Sequence, residues 1–156
     1  MEEQLSQIEN IFSIDAHLDY QAIVIGAGVA GIYQIKRLAE LGVRATVLDG
    51  NPDLGGTWYN NRYPGARFDS ESYTYSYSFS KEVLDEWHWT EKFSPQPETL
   101  KYLNFVTDKF QLRQYMQFNC WVEAMVFDKD ANFWVVKLAD GRQLTTRFIV
   151  TGVGVL

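Results

Sequence analysis

The sequence has one cysteine, Cys120, and two histidines, His17 and His88. A single thiol excludes an internal disulfide framework, and so few soft or imidazole ligands leave no recognisable metal-binding set. No apolar run approaches the ~18 residues that a membrane-crossing helix needs. The opening, MEEQLSQIEN, is acidic and polar, unlike a secretory signal with its basic start and apolar centre. These absences point to a reducing, cytoplasmic setting. Positive charge is also scarce: 14 Lys and Arg against 20 Asp and Glu give a net charge of −6. Without a cluster of basic side chains to neutralise phosphates, a nucleic-acid surface is not expected. No internal repeat, linker or low-complexity segment is present.

What is there fits one domain with a core. The chain has 156 residues, 46% hydrophobic and 22% charged, the balance of a globular protein. Aromatics reach 15% and concentrate between Trp58 and Trp134. Such an excess serves a heavy core, an interface or a stacking ligand, and composition alone does not choose among them.

Residues 1–19 read as an amphipathic lead-in, with Leu5, Ile8 and Ile11 at helical spacing, and residues 20–156 as the domain. YQAIVIGAG is a compact apolar run ending in glycines, the pattern of a buried parallel strand. VAGIYQIKRLAELG follows with Ile32, Ile35, Leu38 and Leu41 in a helical stripe, stopped by Gly42. RATVLDG makes a second strand from about Ala45 to Asp49. Then comes GGTWYNNRYPGARFD, Gly55 to Asp69, with no helix or strand period. SESYTYSYSFS reads as extended, with Tyr73, Tyr75 and Tyr77 along one face. Trp87 and Trp89 flank His88 at strand-like spacing and read as packing residues. A helix is expected after Pro97, with Leu100, Leu103, Val106 (or Thr107) and Phe110 on one side. WVEAMVFD, NFWVVKLAD and RQLTTRFIVTG are three strands joined by the turns DKDAN and ADGR. The expected fold class is α/β: a Rossmann-like β-α-β unit carrying GxGxxG, plus a three-stranded antiparallel β-meander.

The chemistry-bearing motif is GAGVAG, where Gly26, Gly28 and Gly31 form GxGxxG between strand and helix. The first glycine permits the tight turn, the second lets backbone approach a pyrophosphate, and the third seats the helix close on the strand. Phosphates then meet the helix N-terminus, whose free N–H groups favour an anion. Asp49 ends the next strand, where a carboxylate accepts from a ribose hydroxyl and disfavours a 2′-phosphate. A tightly packed turn without a ligand is the plainer alternative. The element order, with a meander returning a late strand to the first, suits the FAD domain of two-dinucleotide flavoproteins. An NAD-dependent dehydrogenase half-domain is the less favoured reading.

With the loop placed after the second strand, GGTW, YPG and the following acid (Gly56, Trp58, Tyr63, Pro64, Gly65 and Asp69) resemble the N-terminal signature of Baeyer–Villiger monooxygenases. The resemblance runs from about Tyr20 to the last residues. It implies an FAD- and NADPH-dependent enzyme that uses dioxygen to convert ketones into esters or lactones. The wording RFDSESYTYSYSFSKE is most similar to members acting on large cyclic or long-chain ketones. By this resemblance Gly26, Gly28 and Gly31 hold the pyrophosphate and Asp49 the adenosine ribose. Gly56, Thr57 and Trp58 run alongside the flavin, Asp69 sits by the isoalloxazine and the nicotinamide, and Tyr75 contacts the flavin. Val122 supplies backbone at the adenine end, and Gly154 ends the last strand against FAD. Arg67, like Arg62, is a candidate for the cofactor phosphates or for holding Asp69 ionised, with a solvated loop ion pair as the equal alternative.

The pattern also departs from the family. There is one GxGxxG where the family has two, and neither the NADPH domain, the fingerprint with its histidine and tryptophan, nor the catalytic arginine is found. Asn60 stands where a tryptophan is usual, and Val155 where a proline often follows. The expectation is the FAD-binding part of a longer enzyme, a fragment or a truncated product, with no catalytic residue of its own beyond a supporting Asp69. Surface that would pack on an NADPH domain is expected to favour self-association. A non-catalytic remnant or interaction module is the alternative from another class.

Overall fold

A computed structural model describes residues 17–154. The lead-in positions Leu5, Ile8 and Ile11, and also Val155, lie outside them. β1 (Tyr20–Ile25), a helix α1 (Val29–Glu40) and β2 (Ala45–Leu48) form the β-α-β unit. Two one-turn helices, α2 (Thr57–Asn60) and α3 (Ser72–Tyr75), lead to α4 (Lys81–Glu86) and the long α5 (Gln96–Lys109). A 3-10 turn (Leu112–Tyr115) precedes β3 (Met116–Gln117), and β4 (Val122–Asp128), β5 (Phe133–Leu138) and β6 (Gln143–Thr151) complete the sheet.

The six strands form one sheet in the order β3-β2-β1-β6-β5-β4. β1 runs parallel to β2 and β6, and β2 parallel to β3. β4-β5-β6 is the antiparallel meander. The expected α/β architecture is therefore present, and the late strand does return beside the first. The meander is not an appendage: through β6 it carries the sheet on from β1 to its far edge. β3 adds a second parallel crossover that runs from β2 through the aromatic segment and α5.

β1 is buried on both faces, which explains why its sequence is apolar without alternation. Ala22 and Val24 face a core shared with Ile32, Ile35, Leu103 and Val106, while Ile23 and Ile25 face Leu48, Val136 and Leu138. α1 ends as its sequence implies. Gly42 lies at φ +69°, with its N–H donating to Ala39 O and the Val43 N–H to Leu38 O. That is the Schellman arrangement, in which a left-handed residue lets two otherwise unpaired helix carbonyls be satisfied. Leu41, assigned to the apolar stripe, is 64% exposed because it caps the helix rather than continuing it.

Three local expectations are corrected. The loop after Gly56 is not wholly irregular, because Thr57–Asn60 form a helical turn. SESYTYSYSFS is not extended. Thr74 donates through both N–H and Oγ1 to Glu71 O, and the buried Ser72 is tied to Glu91 O and Lys92 O. Those bonds close a turn that outweighs the weak strand preference of tyrosine. The Trp87 and Trp89 segment is not a strand either. Trp87 caps α4, and the two indoles meet edge to face at 5.5 Å, which is the packing role expected of them.

Most of the aromatic excess goes into the core. Phe68 stacks on Tyr75 at 4.4 Å, and Tyr102 lies between Trp87, Trp89 and Tyr77. Tyr102, fully buried on α5, is the central ring, whereas Leu100 and Phe110 are only half-buried against it. Among the described residues no helix is long and apolar enough to cross a membrane.

Candidate functional site

The carboxyl ends of β1, β2 and β6 open into a cleft of about 750 Å³. This is where an open parallel sheet binds its ligands, and the volume is that of a small-molecule site. Gly26, Gly28, Asp49, Gly56, Thr57, Trp58, Val122 and Gly154 all line it. The structure thus brings together eight expected positions from five separate segments.

The glycine turn is fixed by its own neighbours. The Gly26 N–H donates to Leu48 O, Ala27 O accepts from the Gly55 N–H, and the Gly152 N–H donates to Ile25 O. A methyl group at Gly31 would lie 1.8 Å from Gly26 O, and one at Gly26 2.6 Å from Gly152 O. Gly31 therefore works behind the cleft, as the seat of helix on strand, and does not line it. Gly28 differs. Its φ is −81°, which any residue adopts, and a Cβ there would meet Gly56 Cα at an ordinary 3.5 Å. Among the described residues nothing requires glycine at 28. The space it leaves open is the cleft.

α1 begins at this point with no capping side chain and no acid in its first turn. Its first N–H groups have no intrahelical partner, so the helix end can receive an anion. Tyr77 braces that end: its hydroxyl donates to Val29 O at 2.6 Å. Burial pushes the Tyr77 phenol far above its ordinary range, which keeps the donor protonated.

Asp49 is buried, and both its oxygens are engaged: Oδ2 accepts from the Ala27 N–H at 2.6 Å and Oδ1 from the Asn51 N–H at 2.8 Å. The carboxylate thus clamps the glycine turn to the end of β2. Each oxygen still has a second lone pair for a hydroxyl.

Trp58 also lines the cleft and is otherwise buried. Its indole N–H donates to the Tyr75 hydroxyl at 2.7 Å, and its carbonyl accepts from the Gln96 side chain. Tyr75 lies behind Trp58 and is not part of the wall. Arg67 and Asp69 lie outside the cleft on the exposed part of the loop. Arg67 pairs with Glu91 at 3.0 Å and donates to Phe93 O. Arg62 donates to Tyr59 O and lies over the Tyr59 ring. Neither arginine is joined to Asp69.

Several lining residues carry no sequence signal of their own: Leu48, Gly50, Cys120, Trp121 and Thr151. Cys120 is buried as expected of a small apolar residue, but at the cleft, where its sulfur receives a hydrogen bond from Arg142. The run TGVG at the end of β6 was a usable signal for its neighbours, since glycines after a strand mark a close approach.

Comparisons with known proteins bear on this site. The model of an NAD(P)-binding Rossmann-like domain matches residues 24–99. The acetone monooxygenase (methyl acetate-forming) of Gordonia sp. is 42% identical over 135 residues, 86% of this chain and 25% of that protein. A Baeyer–Villiger monooxygenase of Pseudooceanicola batsensis is 40% identical over 151 residues, 96% of this chain and 27% of its own length. The solved structure of an oxidised steroid monooxygenase bound to NADP superposes with a TM-score of 0.85 at 44% identity, covering 86% of this chain and 26% of that one.

The chain is homologous to a stretch of the Baeyer–Villiger monooxygenases. It spans about a quarter of the length of the curated relatives it matches. A match over 151 of the 156 residues takes in the β-α-β unit, the Trp58 loop and the meander together.

Proposed function

We propose that the cleft binds FAD and that the chain is the FAD-binding part of an NADPH- and oxygen-dependent Baeyer–Villiger monooxygenase, acting on a ketone to give an ester or lactone. The observation that carries this reading is Gly28, a glycine that faces the cleft and that no contact among the described residues demands. In this reading the start of α1 receives the pyrophosphate, with Gly26 and Gly31 holding the turn in shape. Asp49 accepts from the adenosine ribose while clamping the Ala27 amide, and Val122 lies at the adenine end. Gly56, Thr57 and Trp58 run along the flavin, and Gly154 closes the end of β6. Tyr75 is a positioning residue, acting through the indole of Trp58. Asp69 and Arg67 act at the outer edge of the loop, where the nicotinamide of NADPH and the ketone would approach. Bound FAD would supply the redox chemistry of oxygen transfer, and the protein's part is to orient it and keep water from its edge. We place the chain in the cytoplasm, where the unpaired Cys120 stays reduced.

The test is retention. The purified chain is mixed with FAD or, in parallel, with NAD+, free ligand is removed, and absorbance is recorded. A protein-bound flavin spectrum is expected, with no retained NAD+. Retention of NAD+ without FAD would turn the reading to a dehydrogenase half-domain, and retention of neither to a remnant without cofactor.

A further inference from the structure

The protein has five tryptophans. Four of them, Trp58, Trp87, Trp89 and Trp134, touch another aromatic ring. Trp121 makes no ring contact among the described residues, and it is 67% exposed. Leaving so large an apolar surface in water is unfavourable, yet its position is closely fixed. The preceding Cys120 N–H donates to Asp49 O, and Trp121 O accepts from the Ala139 N–H. The indole rests on Gly50: a Cβ at Gly50 would lie 2.5 Å from ring carbon Cε3 and 3.2 Å from Cζ3. Glycine at 50 thus makes room for the indole, and the indole lines the cleft beside Asp49.

Building on the FAD reading, we infer that Trp121 is the stacking wall for the adenine of the bound dinucleotide. The ribose carboxylate Asp49 sets which end of the cleft holds adenosine, and Trp121 is the aromatic ring at that end. An unpartnered indole face suits a flat heterocycle. Trp58 lines the same cleft from a different segment. The shared chemistry is the adenosine diphosphate half of the ligand, and the effect should therefore be equal for FAD and for ADP alone.

The 156-residue chain is titrated with FAD and with ADP, alongside Trp121→Ala, Trp121→Phe and Gly50→Ala. Trp121→Ala is expected to raise both dissociation constants by about tenfold, the size of one lost base–aromatic stack. Its melting temperature should stay unchanged, since the indole is exposed. Trp121→Phe keeps a ring and should bind within about threefold of the unaltered chain. It should also lose the change in tryptophan fluorescence that ADP produces. Gly50→Ala displaces the indole and should weaken both ligands. Binding of FAD by Trp121→Ala within about twofold of the unaltered chain, or a loss seen with FAD alone, would overturn the assignment of Trp121 to adenine. Failure of the unaltered chain to bind either ligand would instead overturn the FAD reading, and the role of Trp121 with it.

Discussion

At position 31 one methyl group decides whether the first turn of the fold can close. A Cβ there would lie 1.8 Å from Gly26 O, an overlap that backbone must move to relieve. Gly31→Ala should cost at least ~1–3 kcal/mol, read as a lower urea midpoint without any ligand present. Gly28→Ala should leave that midpoint nearly unchanged, because its Cβ meets ordinary contact. The two glycines of one motif thus separate into a folding role and a binding role. Tyr77 gives a pH signature. Burial raises its phenol in the folded state, and Tyr102 shifts in the same direction for the same first cause. Below an unfolded pKa of about 10 both states hold the proton and the contribution is complete. As pH rises past 10 the unfolded chain releases protons that the folded chain keeps, so stability falls. Tyr77→Phe should lose about 1 kcal/mol at pH 8 with the bond to Val29 O, and its decline between pH 10 and 11 should be shallower in urea titrations.

Among elements, α1 was legible but for Leu41, which caps the helix, because its signals are local: a stripe, a preceding glycine turn and Gly42 as terminator. A Cβ at Gly42 meets nothing within 4 Å, so Gly42→Ala isolates the cost of the left-handed conformation, expected at about 1 kcal/mol by chemical denaturation. The segment from Ser72 was misread because alternating tyrosines carry a strand preference that only tertiary bonds cancel. Those bonds come from Glu91 O and Lys92 O, some twenty residues away, beyond the reach of any local pattern. α5 was found by its periodicity, but its innermost side chain is Tyr102, whose hydroxyl accepts from the Tyr77 N–H. Sequence pattern favours Leu100 for that place because it weighs apolarity and not hydrogen bonding. In the site, Gly26, Gly28 and Asp49 were legible as a spaced motif, whereas Trp121 and Cys120 reach the cleft only because β4 follows β3 across the sheet.

For the molecule as a whole, the sheet is asymmetric in its edges. β3 contributes two residues, while β4 presents a seven-residue edge strand on which Met125, Val126 and Phe127 are all exposed. Consecutive exposure puts apolar surface on both faces of this stretch among the described residues, and an edge strand of this kind pairs with other chains. The chain should therefore self-associate as its concentration rises, and Val126→Lys should reduce that association, as followed by sedimentation velocity. The central claim is that the cleft at the ends of β1, β2 and β6 is shaped for one FAD, with Gly28 as its floor. Calorimetric titration of the chain and of Gly28→Val with FAD tests it most directly. One FAD should bind per chain at roughly micromolar concentration, and that binding should be lost in a Gly28→Val protein that remains folded. No heat of binding with the unaltered chain, or equal binding by both, would contradict it.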